Sequence, residues 1–447
     1  MNVNSAGLTV PFAIMCIVDL FGVFPIVVLP GPIIKCGWSG IPLAVCVFVV
    51  QVYTAVLLGK CWIIAEQIDP DIVNKNRYPY AALAELVFGH HVKRLVSVML
   101  DVTVFGASIP NLIIAAYNLH VLGTKASDGN TDISLCIWLV IIGLVLCPPL
   151  WLGSPKDMKW LASISVFTVS SVCVLTWIAM LNTESEMYVP VPDPTWDAVA
   201  LAYGILAFQF DVHPLVLTVQ MDMVNKQKLP TVVVSAFFIT CTLFVVTTVI
   251  GYMQFGGKLS SNLLDELPES RVLNADIMLV TLQICMSTVV STTALFQNIE
   301  HYFNLSREFS WKRCALRSSV MMAAVLIGEA VPRFDLVMGL VGTLLTGPLM
   351  FILPPILYAR IRSLSRSKAT SSPRAGVCCY RTFPGHAKSS STATEVRHLI
   401  LPTLLVLAGV LATVLATLSA VREAIVYASF TPSCLMQMLG SDEKKLK

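Results

Sequence analysis

The stretch GILAFQFDVHPLVLTVQ, residues 204–220, holds three residues that an apolar span normally excludes: Asp211, His213 and Pro214. A carboxylate and an imidazole close together can share a proton, and the titration of one is then felt by the other. Residues two apart do not share a helix face, so this pair converges only where the backbone is not helical. Pro214 supplies the interruption. It lacks an amide donor and its ring clashes four residues back, which costs about 3 kcal/mol or more and frees the carbonyl of Phe210. A lone aspartate at the centre of a bilayer adds roughly 2.5–3.5 kcal/mol. Both costs are tolerable in a segment that unwinds and lines a wet cavity. The alternative is a permanently paired couple that only pins the break.

The N-terminal segment FGVFPIVVLPGP repeats the pattern. Pro25 frees the carbonyl of Phe21, and Pro30 that of Ile26. Asp19 lies one turn before Gly22-Val23-Phe24, either as a second proton or cation site or as a carboxylate solvated near the end of its span. Thr288, Ser291 and Thr292 fall on one helix face at i, i+3 and i+4. Such hydroxyls line a pocket or, more commonly, bond to their own backbone. No HExxH, no carboxylate metal cluster and no Ser/His/Asp set falls at membrane depth, so an enzyme is disfavoured and neither a metal nor an organic cofactor is expected.

The elements that must carry these residues follow from composition. Of 447 residues 56% are hydrophobic and 13% charged, and the mean hydropathy is +0.76. That is more apolar surface than one soluble core can hide, so the chain is an all-α polytopic membrane protein in contact with the lipid bilayer. Apolar stretches of the length needed to cross about 30 Å of hydrocarbon occur near 11–34, 41–64, 95–121, 133–152, 160–181, 197–219, 231–254, 274–297, 315–331, 334–357 and 398–418. They predict eleven transmembrane helices, since lipid offers backbone groups no partner. With the N-terminus in the cytoplasm, the cytoplasmic loops hold twenty Lys and Arg residues and the opposite loops only Lys35, Lys125, Lys258, Arg271 and Arg333. The positive-inside rule then fixes that orientation, with the C-terminus outside or in a lumen.

The predicted organisation is a short N-terminus (1–10), a ten-helix core (11–358), a basic Ser-rich cytoplasmic loop (359–397), an eleventh helix (398–418) and a tail (419–447). The loop contains Cys378-Cys379, a candidate palmitoylation pair, and the chain ends in KKLK, which matches a dilysine retrieval signal. The thirteen cysteines show no CxxC and no framework spacing, and they read as small core residues. Spans 1 and 6 open the two halves of a five-plus-five arrangement. Interrupted helices at such positions point to the central site of a secondary transporter, where half-helix N-termini face an anionic group and freed carbonyls a cation. An α-amino acid carries both groups.

Several further stretches, in this order and spacing, resemble the amino acid/auxin permease superfamily. They are YTAVLLGKCW, YPYAALAELVFG, SPKDMKWLASIS, ILAFQFDVHP, VIGYMQFG and VPRFDLVMGLVGTLLTGPLMFILPPILY. The similarity runs from about residue 10 to 358 and is strongest to the animal proton-coupled and vesicular inhibitory amino acid transporter branches. It implies a LeuT-like inverted repeat, alternating access and proton-coupled movement of amino acids. It implies a substrate carboxylate near Gly22, Val23 and Phe24, and an amine near the carbonyls of Phe208 to Asp211. Asp211 falls where the proton-coupled branch carries an acid. The sequence departs from the family in keeping only Gly22 of a Gly-x-Gly and adding Pro25. It also lacks the prolines usual in span 8, and its N-terminal tail is short.

The expectation is a multi-pass secondary transporter of small neutral amino acids at a plasma, vesicular or lysosomal membrane. A proton gradient drives it, with sodium as the other candidate ion, and Asp211, His213 and Asp19 carry the coupling. The alternative is an amino acid sensor built on a transporter fold, which binds but moves little. Nothing suggests nucleic acid as a partner.

Overall fold

The structure is a computed structural model. It describes the chain except for residues 1–6, 76–77, 127–132, 153–157, 184–188, 306–308, 332, 372–391 and 431–447. Cys378-Cys379 and KKLK lie outside the described residues.

The regular structure of the described residues is helical apart from one isolated β-bridge. The first predicted span is split into α1 (Val10–Phe21), α2 (Phe24–Val27) and α3 (Pro30–Lys35), each break falling at a glycine or proline. Next come α4 (Gly40–Ile68), α5 (Ile72–Lys75), α6 (Pro79–Phe88), α7 (His90–Ala126), α8 (Leu135–Leu152) and α9 (Met158–Leu181). The sixth span is split into α10 (Trp196–Gln209) and α11 (His213–Asp222). The remainder is α12 (Leu229–Phe255), α13 (Arg271–Tyr302), α14 (Trp311–Ala330), α15 (Phe334–Val341), two π-helical turns (Gly342–Thr346 and Pro348–Ile352), α16 (Leu353–Ser371) and α17 (Thr392–Phe430).

All eleven predicted segments contain helix. Among the described residues, eight helical stretches are long and apolar enough to cross a membrane by length and composition. Val10–Phe21 and Leu135–Trp151 are shorter apolar helices. Arg313, Arg317 and Glu329 keep α14 out of the eight, because no 18-residue window of it holds fewer than three charges. Arg317 is nevertheless buried, donating from Nε to Glu300 Oε1 at 2.6 Å and from a terminal nitrogen to the Leu150 carbonyl.

Two predicted boundaries move. Helix α16 continues past 358 to Ser371, because Leu357 and Ile361, one turn apart, are both buried. Helix α17 begins at Thr392 and runs past 418 to Phe430. Its extension is held where Ser419 Oγ donates to Asp197 Oδ1 at 2.8 Å and where Glu423 lies 3.5 Å from Arg333.

Helix α1 packs on α12 and α9, α10 on α15, the first π turn, α17 and α4, and α11 on α4 and α6. A Cβ on Gly342 would collide with the Gly204 carbonyl, so two glycines let the π segment lie directly on α10. The outer helices α4, α12 and α17 expose Val49, Phe238 and Leu411, the apolar faces expected of helices that meet lipid. At one end Leu8 forms a parallel bridge with Met223: Leu8 N–H donates to Asp222 O at 2.7 Å and Val224 N–H to Leu8 O at 3.1 Å. At the other end the backbone of Ser260, in the loop before α13, abuts Gly31 of α3.

Candidate functional site

The two interruptions lie side by side. Gly22 ends α1 with φ +59° and ψ −147°, a conformation essentially restricted to glycine. No acceptor for the Val23 or Phe24 N–H is found among the described residues, so this break leaves backbone donors for an anionic group. The Phe21 carbonyl, which Pro25 was expected to free, accepts a hydrogen bond from Gln209 Nε2 at 2.5 Å. Gln209 is the last residue of α10, and this bond ties one break to the other.

The break in span 6 is tighter, spanning Phe210, Asp211 and Val212. Asp211 N–H donates to Phe208 O at 3.3 Å, and Val212 N–H to Phe210 O at 3.0 Å. The Phe210 carbonyl is therefore not left open as the proline argument predicts: the turn that follows it supplies a donor. Its ring is fully buried and packs edge-on against Phe21 and Phe48, 5.3 and 4.6 Å away between centroids. Asp211 caps α11, accepting from His213 N–H at 3.2 Å through Oδ1.

A cavity of about 110 Å³ lies where the breaks meet. Its walls include Gly22, Phe24, Phe208, Asp211, Pro214 and Ser291, with Gln209, Gln283 and Asn111 as neutral polar groups. Asp211 is the only ionisable residue on that lining. At ~30 Å³ per water, the space holds three or four waters or one small solute.

His213 is fully buried behind this wall. Its Nε2 lies 3.0 Å from Thr54 Oγ1, and its Nδ1 is 3.7 Å from Asp211 Oδ1 with no hydrogen-bond partner. The Thr54 hydroxyl also lies within reach of the Val50 and Gln51 carbonyls at 2.9 and 3.2 Å, so the direction of its bond with His213 follows the tautomer. Nδ1 and the Asp211 carboxylate face each other, and a proton placed between them would be shared by both.

The remaining predicted residues separate. Val23, Pro25 and Pro30 are buried in the backbone of the first break and do not line the cavity. Thr288 and Thr292 do not line it either: Thr288 Oγ1 donates to Ile284 O and accepts from Asn111 Nδ2 at 3.0 Å, and Thr292 Oγ1 donates to Thr288 O. Ser287 takes the expected place beside Ser291. Asp19 is 3% exposed, which removes the solvated alternative; Ser165 of α9 stands beside it and its Oδ1 has no partner. Sequence reasoning missed Gln209, Gln283 and Asn111, since amides within spans read as ordinary polar core. A Cβ on Gly22 would come within 2.9 Å of Gln283 Nε2, so that amide sits directly under the break.

Two adjacent broken helices around a small central cavity are the arrangement of the LeuT-like fold. The crystal structure of MhsT in complex with L-phenylalanine superposes with a TM-score of 0.54 at 13% identity, over 91% of this chain and 98% of that one. The profile described as transmembrane amino acid transporter protein matches residues 10–383, and the chain belongs to that family. It is 22% identical over 339 residues to amino acid transporter AVT1J of Arabidopsis thaliana, covering 73% of this chain and 76% of the relative. With AVT1B of the same plant it shares 23% over 346 residues, 75% of this chain and 61% of the relative. The sodium-coupled neutral amino acid symporter 2 of Danio rerio is 22% identical over 326 residues, 63% of each. The relatives are named as transporters, and the protein is not an enzyme.

Proposed function

We propose that this protein is a secondary active transporter of small neutral amino acids, working by alternating access and driven by a proton gradient. The observation that carries this reading is the cavity between the two breaks, with one carboxylate, the open amide of Phe24 on its wall, and neutral side-chain amides around them. An α-carboxylate suits the Phe24 donor, and an α-ammonium suits Asp211. The volume of about 110 Å³ favours a small side chain. The lack of a second charge on the lining favours a neutral one, because an unpaired charge buried there would be heavily penalised. The bridge at Leu8 and the contact at Gly31 close opposite ends, which suits an occluded stage of an alternating cycle.

In this reading a proton enters between His213 Nδ1 and Asp211 Oδ1. It changes the charge that the substrate ammonium meets, and so links amino acid occupancy to protonation. Names among the relatives supply two alternatives for the ion and the membrane: sodium-coupled and vacuolar, as in vacuolar amino acid transporter 3 of Schizosaccharomyces pombe, 23% identical over 279 residues. We place the protein in an acidic organelle membrane with the Leu8 end in the cytoplasm, where the Lys- and Arg-rich loops fall.

The test is uptake of labelled small amino acids into proteoliposomes under an imposed pH gradient, with a sodium gradient as the parallel arm. Accumulation that collapses when the pH gradient is dissipated supports proton drive. Accumulation that follows sodium alone overturns it. Thermal stabilisation by amino acids with no flux in either arm would make the protein a sensor.

A further inference from the structure

A second buried carboxylate lies outside the cavity. Helix α9 packs on α13, and the two helices share polar rungs. Thr176 Oγ1 donates to Asp276 Oδ2 at 2.7 Å, and Gln283 Nε2 donates to Ser165 Oγ at 3.3 Å. The spacing makes this a seam: Ser165 and Thr176 are three helical turns apart on α9, and Asp276 and Gln283 two turns apart on α13, each pair on one face. Asp276 and Thr176 are both fully buried.

Asp276 Oδ1, Gln283 Oε1 and Asp19 Oδ1 all lack hydrogen-bond partners among the described residues. The seam therefore offers acceptors and is short of donors. A permanent anion at Asp276 would stand in protein interior with one hydroxyl as its support, a far more costly state than the neutral acid. No group of potential metal ligands is found among the described residues. The orphan oxygens of α13 lie about 10 Å apart along its axis, too far for one ion to gather.

We propose that Asp276 is a proton-binding site of the transport cycle, separate from the substrate cavity and joined to it through Gln283, which belongs both to the seam and to the cavity wall. This rests on the proton-driven reading above. The groups around Asp276 leave it as the titrating centre. Cys173 of α9 is its titratable neighbour. Tyr117 and Lys125 of α7 face Asp265 and Glu269 instead, and Arg313 and Arg317 of α14 pair with Glu300 at the far end of α13. Helix α8 carries no charged residue, and Asp19 of α1 sits at the Ser165 rung.

The experiment combines infrared spectra of the purified full chain, recorded as pH is stepped through the range from about 5 to 8, with pH-driven alanine uptake in proteoliposomes. The wild type is expected to show a protonated-carboxyl band that Asp276→Asn removes and Asp211→Asn retains. Thr176→Val, which deletes the hydroxyl and keeps the volume, is expected to shift that band and the pH midpoint of uptake. Asp276→Asn is expected to lose at least tenfold in pH-driven accumulation while alanine exchange stays within twofold. An unchanged band in Asp276→Asn, or a wild-type carboxylate signal that responds to sodium chloride and not to pH, overturns the proposal. If Asp276→Asn does not fold, an unmoved band in Thr176→Val overturns it. Loss of the band in Asp276→Asn, with wild-type uptake indifferent to pH, would sink the proton-driven reading while leaving Asp276 a proton-binding group.

Discussion

The two interrupted helices reach the same cavity by opposite means. In the first span the break is made by backbone: Gly22 takes a conformation that side-chain-bearing residues avoid, and an amide side chain from another helix, Gln209, fastens it. In the sixth span no glycine is used, and the break is closed by its own turn and by an ionisable cap, Asp211, on the first amide of α11. A glycine break is indifferent to protonation. A carboxylate cap is not, because a neutral carboxyl is a weaker acceptor for an amide. The comparison assigns a fixed frame to span 1 and a responsive element to span 6.

Gly22→Ala tests the fixed side and is expected to have the largest effect. The backbone conformation alone costs about 1–3 kcal/mol, and the new methyl meets Gln283. Transport should fall below detection in proteoliposomes at every pH, with a lowered melting temperature. Residual transport with a shifted pH profile would make span 1 responsive as well. Asp211→Asn tests the responsive side: pH-driven accumulation is expected to vanish while amino acid exchange persists, and an unchanged pH dependence would remove Asp211 from coupling.

Gln209→Ala separates the breaks by orphaning the Phe21 carbonyl, which is expected to cost about 1–3 kcal/mol in thermal unfolding and to weaken substrate binding in both assays alike. Thr54→Val takes away the hydroxyl that partners His213 Nε2. The pH midpoint of uptake should move, with a change in rate of roughly threefold, since the imidazole sets where the proton rests.

The smallest expected effect lies outside the spans, at Asp265 in the loop before α13. Burial pushes its carboxyl up from 3.8 to about 6, against a hydrogen bond with Tyr117. A carboxyl that holds its proton more tightly when folded favours the fold at low pH, and that contribution is lost as pH rises from about 4 through 6. Asp265→Asn should flatten the melting temperature across that window.

The sequence made the class of protein legible because hydropathy and charge asymmetry are one-dimensional properties, and it made the breaks legible because Pro25, Pro30 and Pro214 suit the first turn of a new helix, although Pro110, Pro148, Pro149 and Pro402 stand inside unbroken ones. Its errors were three-dimensional. The predicted open carbonyl of Phe210 is taken by a turn two residues on, and that of Phe21 by a glutamine 188 positions away. Thr288 and Thr292 share the predicted face with Ser291, yet only Ser291 reaches the cavity, because the rotation of α13 is set by packing on α7 and α9. Asp276 gave no signal because an acid near a span end reads as solvated until the neighbouring helix is seen to cover it.

By itself, then, the sequence determined a multi-pass helical membrane protein broken at residues 22–25 and 210–214, because bilayer thickness and proline chemistry act locally on the chain. Only the tertiary structure decided which oxygens remain open, which groups stand beside the two ring nitrogens of His213 and which carboxylates lie in a seam. Hydrogen-bond satisfaction belongs to pairs of residues distant in sequence, and no local pattern records it.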